Sequence, residues 1–352
     1  MNQIFVCGLG VVSPAGWGVS PLHSAFARGE PLDIKTVVRP GWKKPLCVRA
    51  VPPPEVPPVF STHTRLRRAS VITVHTVAAA LDALGSDAAL VQSGALRLGV
   101  VVCTMAGSVA YSRRFYEEVL RDPATASPAV FPETVFNAPA SHLAAYLGTN
   151  GIGYTLVGDD GTFLQGLAMA ADWLLQDQVD GVIVIGAQEL DWVVSDAMSL
   201  FQRDAIHSAG AGAIYLRKEK TSAACAELAV ITDSFLFTQT QNRTEAARKM
   251  RGQLPPSGRN ELLVVSSQQN SRAMAAENLV WSDWSGQQLA PKQILGEAFT
   301  ASVAWQCVAA CDAMTRGQFS AVNVSVVGAN QQAIGARFLT LRGERLSSTP
   351  DQ

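Results

Sequence analysis

The stretch YTLVGDDGTFLQGLAMAADWLLQDQVDGVIVIGAQE, Tyr154 to Glu189, decides the architecture. Tyr154–Val157 is short and mostly apolar, which predicts a strand. The pair Asp159–Asp160 and Gly161 interrupt it, and Thr162–Gln176 then carries apolar residues at helical spacing. Gly181–Ile185 is a continuous apolar run, the mark of a strand covered on both faces. Strand, helix and strand in this order predict a βαβ unit, whose two strands lie parallel in one sheet. A carboxylate at the start of the helix, Asp159 or Asp160, is expected to cap it.

Reading outward, the same alternation recurs on both sides. Upstream are a strand at Leu98–Cys103 and a helix at Val109–Leu120; downstream a strand at Ala211–Leu216 closes the first stretch. A second stretch repeats the order: strand Glu227–Asp233, helix Arg243–Arg251, strand Glu261–Val265, helices Arg272–Trp281 and Phe299–Thr315, then strands Ala321–Val327 and Gln332–Leu339. Near the start, Ile4–Cys7 predicts a strand running into a turn at Gly8 and Gly10, with an amphipathic segment at Leu22–Ala27. VPPPEVPPVF, Val51 to Phe60, is read as surface loop, because proline blocks both helix interiors and central strands. A helix over Arg65–Leu84 follows.

Composition bounds the function. Apolar residues form 48% of the 352-residue chain and charged residues 16%, enough for a large core. A net charge of −1 argues against a generally basic nucleic-acid binder. No apolar run reaches the roughly 18 residues of a membrane span, and the N-terminus lacks the features of a secretory signal, so a cytoplasmic protein is expected. The six cysteines, Cys7, Cys47, Cys103, Cys225, Cys307 and Cys311, contain no CxxC pair; most are expected to be reduced core residues, and metal binding is not expected. GLGVVSPAGWG lacks the GxGxxG spacing of a dinucleotide site. The last of five histidines is His207, so the final 145 residues contain none.

Several of these segments, at matching spacing, resemble the β-ketoacyl synthases of the thiolase fold. FVCGLGVVSPAGWG is similar to that family's first strand and turn, and Ser112–Gly148 to the segment before its active site. Tyr154–Glu189 resembles the nucleophile strand and helix, and AGAGAIYLRKE the strand closing the first half. PKQILGEAFTASVAWQCVAACDAM resembles the lysine-containing loop and its helix, and VNVSVVGANQQAIGARF the glycine-rich final hairpin. The resemblance implies an α/β protein of thiolase-like fold. Two pseudo-symmetric halves, residues 1–220 and 221–352, would pack in α-β-α-β-α layers.

That family uses a cysteine thiolate at a helix N-terminus to take an acyl chain and two histidines to decarboxylate the extender unit. Here the matching positions are Asp160, Ser266 and Glu297, with Lys292 at the family's lysine and Glu277 at its glutamate. All three triad positions are substituted. Lys292 is expected to pair with Glu297 or Glu277. Cys103 is read as a buried strand end. Arg65, Arg67 and Arg68 are candidates for docking an acidic acyl carrier protein, whose phosphopantetheine arm would deliver the acyl chain; no other cofactor and no metal are implied. The chain is also short between Glu189 and Gly210, and VGANQQ replaces a gating loop. The resemblance therefore points to a non-condensing, chain-length-factor-like subunit paired with an active ketosynthase in polyketide, polyene or fatty acid biosynthesis. Tyr154–Val157 and Phe131–Ala145 would lie at its dimer interface. The alternatives are an enzyme using Asp160 and Glu297 as an acid–base pair on acyl thioesters, and a homodimeric acyl-binding or scaffold protein.

Overall fold

The computed structural model describes residues 3–202, 205–238, 242–256, 258, 260–266, 271–328 and 331–341. Strand β1 (Phe5–Ser13) and its short partner β2 (Gly16–Trp17) lead to helix α1 (Val19–Arg28), strands β3 (Lys35–Val37) and β4 (Leu46–Arg49), and helices α2 (Val71–Leu84) and α3 (Asp87–Gln92). The first repeat comprises β5 (Leu98–Thr104), α4 (Val109–Arg121), α5 (Ala138–Leu147), β6 (Gly153–Val157), α6 (Thr162–Leu175), β7 (Gly181–Gln188), α7 (Trp192–Ser199), β8 (His207–Ser208) and β9 (Gly210–Arg217). The second has β10 (Ala226–Ile231), β11 (Phe235–Leu236), α8 (Arg243–Gly252), β12 (Glu261–Val264), α9 (Ser271–Val280), β13 (Gln287–Leu289), α10 (Pro291–Leu295), α11 (Thr300–Thr315), β14 (Ala321–Val327) and β15 (Gln332–Leu339).

The strand order β13-β12-β14-β15-β10-β1-β9-β7-β5-β6 is close to a palindrome of topology. At one end β5 runs parallel to β6 and β7, and at the other β12 runs parallel to β13 and β14. The inner strands are antiparallel, and β1 meets β10 at Phe5↔Glu227 and Val6↔Ala226. Helices make the layers. α2 and α5 cover one outer face, α8 and α9 the other, and α6 and α11 lie between the two halves. Three apolar clusters fill the spaces, and the central one is built around Phe163, Leu167, Trp305 and Val308. α11 is buried along almost its whole length, as expected of a helix apolar on every side.

Two local expectations are corrected. Gly8 and Gly10 make no turn; β1 continues through them to Ser13. A Cβ at Gly8 would fall 1.8 Å from the carbonyl oxygen of Ala83, and one at Gly10 would fall 1.9 Å from that of Ala79. The glycines therefore let α2 lie directly on the strand. The helix expected from Arg65 begins only at Val71, capped by Ser70, whose hydroxyl accepts from the Thr73 amide at 3.4 Å. Arg67 and Arg68 instead form a 3-10 turn with Leu66. No described helix is long and apolar enough to cross a membrane.

Candidate functional site

The βαβ unit delivers Asp159 and Asp160 to the tight loop between β6 and α6. Neither caps the helix: the N-cap is Gly161 and makes no side-chain cap bond. Asp159 instead accepts from the Gly161 amide at 3.2 Å and from the Gln332 carboxamide at 2.7 Å. This second contact ties the first half to the final hairpin. Burial, followed by the neighbouring Asp160 charge, pushes the Asp159 carboxyl up to about 6.

Asp160 faces the other half, where Lys292 from α10 donates to its carboxylate. The same ammonium donates to Glu297 Oε2 at 2.7 Å, and the other Glu297 oxygen accepts from the Phe299 amide at 2.8 Å. All three side chains are almost fully buried, at 3–5% exposure. One ammonium between two carboxylates leaves one negative charge in excess. Accordingly, burial and the Asp160 charge raise the Glu297 carboxyl above its ordinary range, while both carboxylates hold the Lys292 ammonium above its own despite desolvation.

Ser266 and Glu277 form a group with Ser325. Glu277 accepts from the Ser266 amide at 3.1 Å and from the Ser325 hydroxyl at 2.5 Å. The Ser266 hydroxyl accepts from the Val327 amide at 3.0 Å, and Trp281 donates to Ser325 at 3.0 Å. These bonds lock the ends of β12 and β14 together. In the loop VGANQQ, positions 329 and 330 lie outside the described residues.

One histidine reaches this region from a part of the chain that spacing alone could not place. The segment around His207 pairs with Glu297: the Ser208 amide donates to the Glu297 carbonyl, and the Glu297 amide to the Ile206 carbonyl, both at 2.8 Å. The His207 ring stands edge-on to Phe299 with centroids 5.9 Å apart. Its Nε2 is buried with no hydrogen-bond partner, and burial lowers its pKa to about 4, so the ring is neutral. Phe299 occupies the left-handed region at φ 50°, one of two non-glycine residues at positive φ among those described.

The Cys103 thiol is packed away beneath α6. A Cβ on Gly166 of α6 would lie 2.7 Å from the Cys103 sulfur, so helix and thiol are packed closely. Thr300 donates to the Cys103 carbonyl at 2.9 Å, and burial pushes the thiol far above its ordinary range. The Lys292 ammonium keeps its proton and cannot attack a carbonyl. Among the described residues, no group of three His, Cys, Asp or Glu side chains could hold a metal ion. Arg65, Arg67 and Arg68 are exposed and make no ion pair among the described residues. Tyr111 fixes their turn by donating to the Arg68 carbonyl at 2.5 Å.

Glu189, at the end of β7, was not singled out by the sequence. It accepts from the Ala110 amide at 3.3 Å at the start of α4, and burial raises its carboxyl to about 7. A carboxyl with a raised folded pKa binds more protons folded than unfolded, so its contribution to stability falls as pH rises through that interval. His75 and His207, both lowered to about 4 by burial, oppose this only below the ordinary histidine value near 6.5. Between pH 6.5 and 7.5 the acids act unopposed. Stability from urea unfolding should therefore decline over that interval, and Glu189→Gln should flatten the decline; an unchanged slope in the variant would contradict the assignment.

No family model and no curated protein sequence matches the chain. Solved structures do. A type II polyketide synthase ketosynthase bound to the hexaketide, in complex with its acyl-carrier protein, aligns with a TM-score of 0.79 at 13% identity, over 97% of this chain and 99% of that one. The ishigamide ketosynthase/chain length factor gives 0.76 at 16% identity, over 97% and 99%. A β-ketoacyl synthase from Burkholderia phymatum gives 0.78 at 14% identity, over 97% and 100%. The chain therefore has the thiolase-like ketosynthase fold over nearly its full length.

Proposed function

We propose that the chain is a non-condensing, ketosynthase-like subunit of chain-length-factor type that pairs with an active ketosynthase in acyl-carrier-dependent biosynthesis. The observation carrying this reading is Lys292 clamped between Asp160 and Glu297, at the positions where the resemblance expects the thiol and an imidazole. The clamp replaces chemistry with a strut between the two halves. Two surface features agree with a subunit role. β6 ends the sheet with its outer edge open, and Tyr154 and Val157 on it are each 53% exposed; Phe131 and Phe136 are exposed as well. An open apolar edge calls for a covering partner. The unpaired Arg65, Arg67 and Arg68 suit a phosphate or an acidic carrier surface. Among the solved neighbours, one is a ketosynthase/chain length factor and another is held with its acyl-carrier protein.

Coexpression with a cognate active ketosynthase should give a 1:1 heterodimer on size exclusion with light scattering. The purified chain alone should release no carbon dioxide from malonyl carrier protein. A homodimer persisting in the presence of that ketosynthase would overturn the pairing. The repurposed-enzyme reading draws on the raised Glu297 carboxyl. It requires acyl-carrier turnover that disappears in Asp160→Asn and Glu297→Gln.

A further inference from the structure

Strands β3, β4 and β8 form a small separate sheet, and it holds a buried cation that no carboxylate answers. Arg49, the last residue of β4, is 4% exposed, and its Nε donates to the Leu32 carbonyl at 2.9 Å. Its Nη1 is buried without a hydrogen-bond partner, and Arg49 makes no ion pair among the described residues. Burial lowers the pKa of the guanidinium, and no neighbouring carboxylate offsets the effect. A guanidinium nonetheless keeps its charge, so in the interior it calls for an anion.

A second unpartnered donor stands beside it. The parallel register sets Arg49 against Ser208 and Val48 against His207, so Arg49 and Ser208 share one face of the small sheet. Ser208 is 2% exposed, and its Oγ is buried without a partner. Both residues lie against the turn that ends α10. Ser208 Oγ is 3.2 Å from where a Cβ on Gly296 would stand, and Leu32, which accepts from Arg49, donates its amide to the Ile294 carbonyl at 3.0 Å. His207 takes the opposite face, towards Phe299.

One fixed positive charge and one hydroxyl, both almost closed off from solvent, suit an anion small enough to be enclosed. Water would meet the hydrogen bonds but leave the charge unanswered. We propose that Arg49 Nη1 and Ser208 Oγ bind a monatomic halide, chloride, which joins the small sheet to the α10 turn. The site does not depend on the Lys292 cluster or on any subunit role.

Urea unfolding of the full chain tests this, with sodium chloride replacing sodium gluconate at constant ionic strength. An ion bound only by the folded state should raise the folded-to-unfolded ratio saturably, about tenfold once chloride exceeds its Kd tenfold. Bromide in crystals of the full chain should give an anomalous-scattering peak in contact with Arg49 Nη1. Ser208→Ala, which removes one donor and keeps the charge, should weaken chloride binding at least threefold, and Arg49→Met should abolish the chloride dependence. A ratio indifferent to chloride, or no bromide beside Nη1, would overturn the proposal. Both measurements use the unaltered chain and stand whether or not the variants fold. Undiminished chloride dependence in a folded Arg49→Met would overturn it equally.

Discussion

Lys292→Met should cost the fold about 3–5 kcal/mol, the usual penalty for removing one partner of a buried ionic group. Methionine fills a similar volume but leaves Asp160 and Glu297 facing each other without a cation, both nearly fully buried. The loss should shrink in mild acid, because protonating Glu297, whose carboxyl burial already raises, removes the repulsion. Replacing the whole cluster with apolar residues, Asp160→Leu, Lys292→Met and Glu297→Leu together, should recover much of the loss. Urea unfolding at pH 5.5 and 7.5 measures both effects. A single-variant loss below about 1 kcal/mol at pH 7.5 would mean that the cluster is solvated and is no strut.

The second large effect concerns the open sheet edge. Tyr154→Asp with Val157→Asp places two carboxylates on β6, where the wild-type side chains are half-exposed and β6 pairs with β5 alone. Both residues are half-exposed, and Tyr154 gives up a ring contact with Trp173 at 5.6 Å between centroids, so the folded monomer should lose only a modest part of its stability, about 1 kcal/mol. A charged edge resists strand addition. Loss of two central apolar contacts, each in the hot-spot range of about 2 kcal/mol or more, should weaken the heterodimer by at least 100-fold. Analytical ultracentrifugation with the partner ketosynthase reads this directly. Unchanged association with an intact monomer would remove the edge from the interface.

How far the sequence carried these conclusions depended on whether the relevant contacts were local. The βαβ unit at Tyr154–Gln188 and the buried α11 were legible because period and apolarity are properties of a single segment. Gly8 and Gly10 were misread because a glycine in an apolar strand pattern suits a turn or a close helix equally well, and only α2 decides between them. The start of α2 moved to Val71 because Ser70 offers a cap, whereas the apolar spacing extends further upstream. Asp160 and Glu297 could be placed by resemblance, and Lys292 was expected to find one carboxylate; that it finds two required the halves to be packed. The Asp159–Gln332 bond spans 173 residues, and His207 meets Glu297 through a strand of two residues. Neither contact leaves a periodic trace in the chain.

The most direct test of the central claim is intact-protein mass spectrometry of the purified heterodimer after incubation with acyl-loaded carrier protein. The account predicts an acyl adduct on the partner ketosynthase and an unshifted mass for this chain. A stoichiometric acyl adduct on this chain would contradict it, because the proposed role assigns Asp160, Lys292 and Glu297 to an ion-paired strut rather than to acyl transfer.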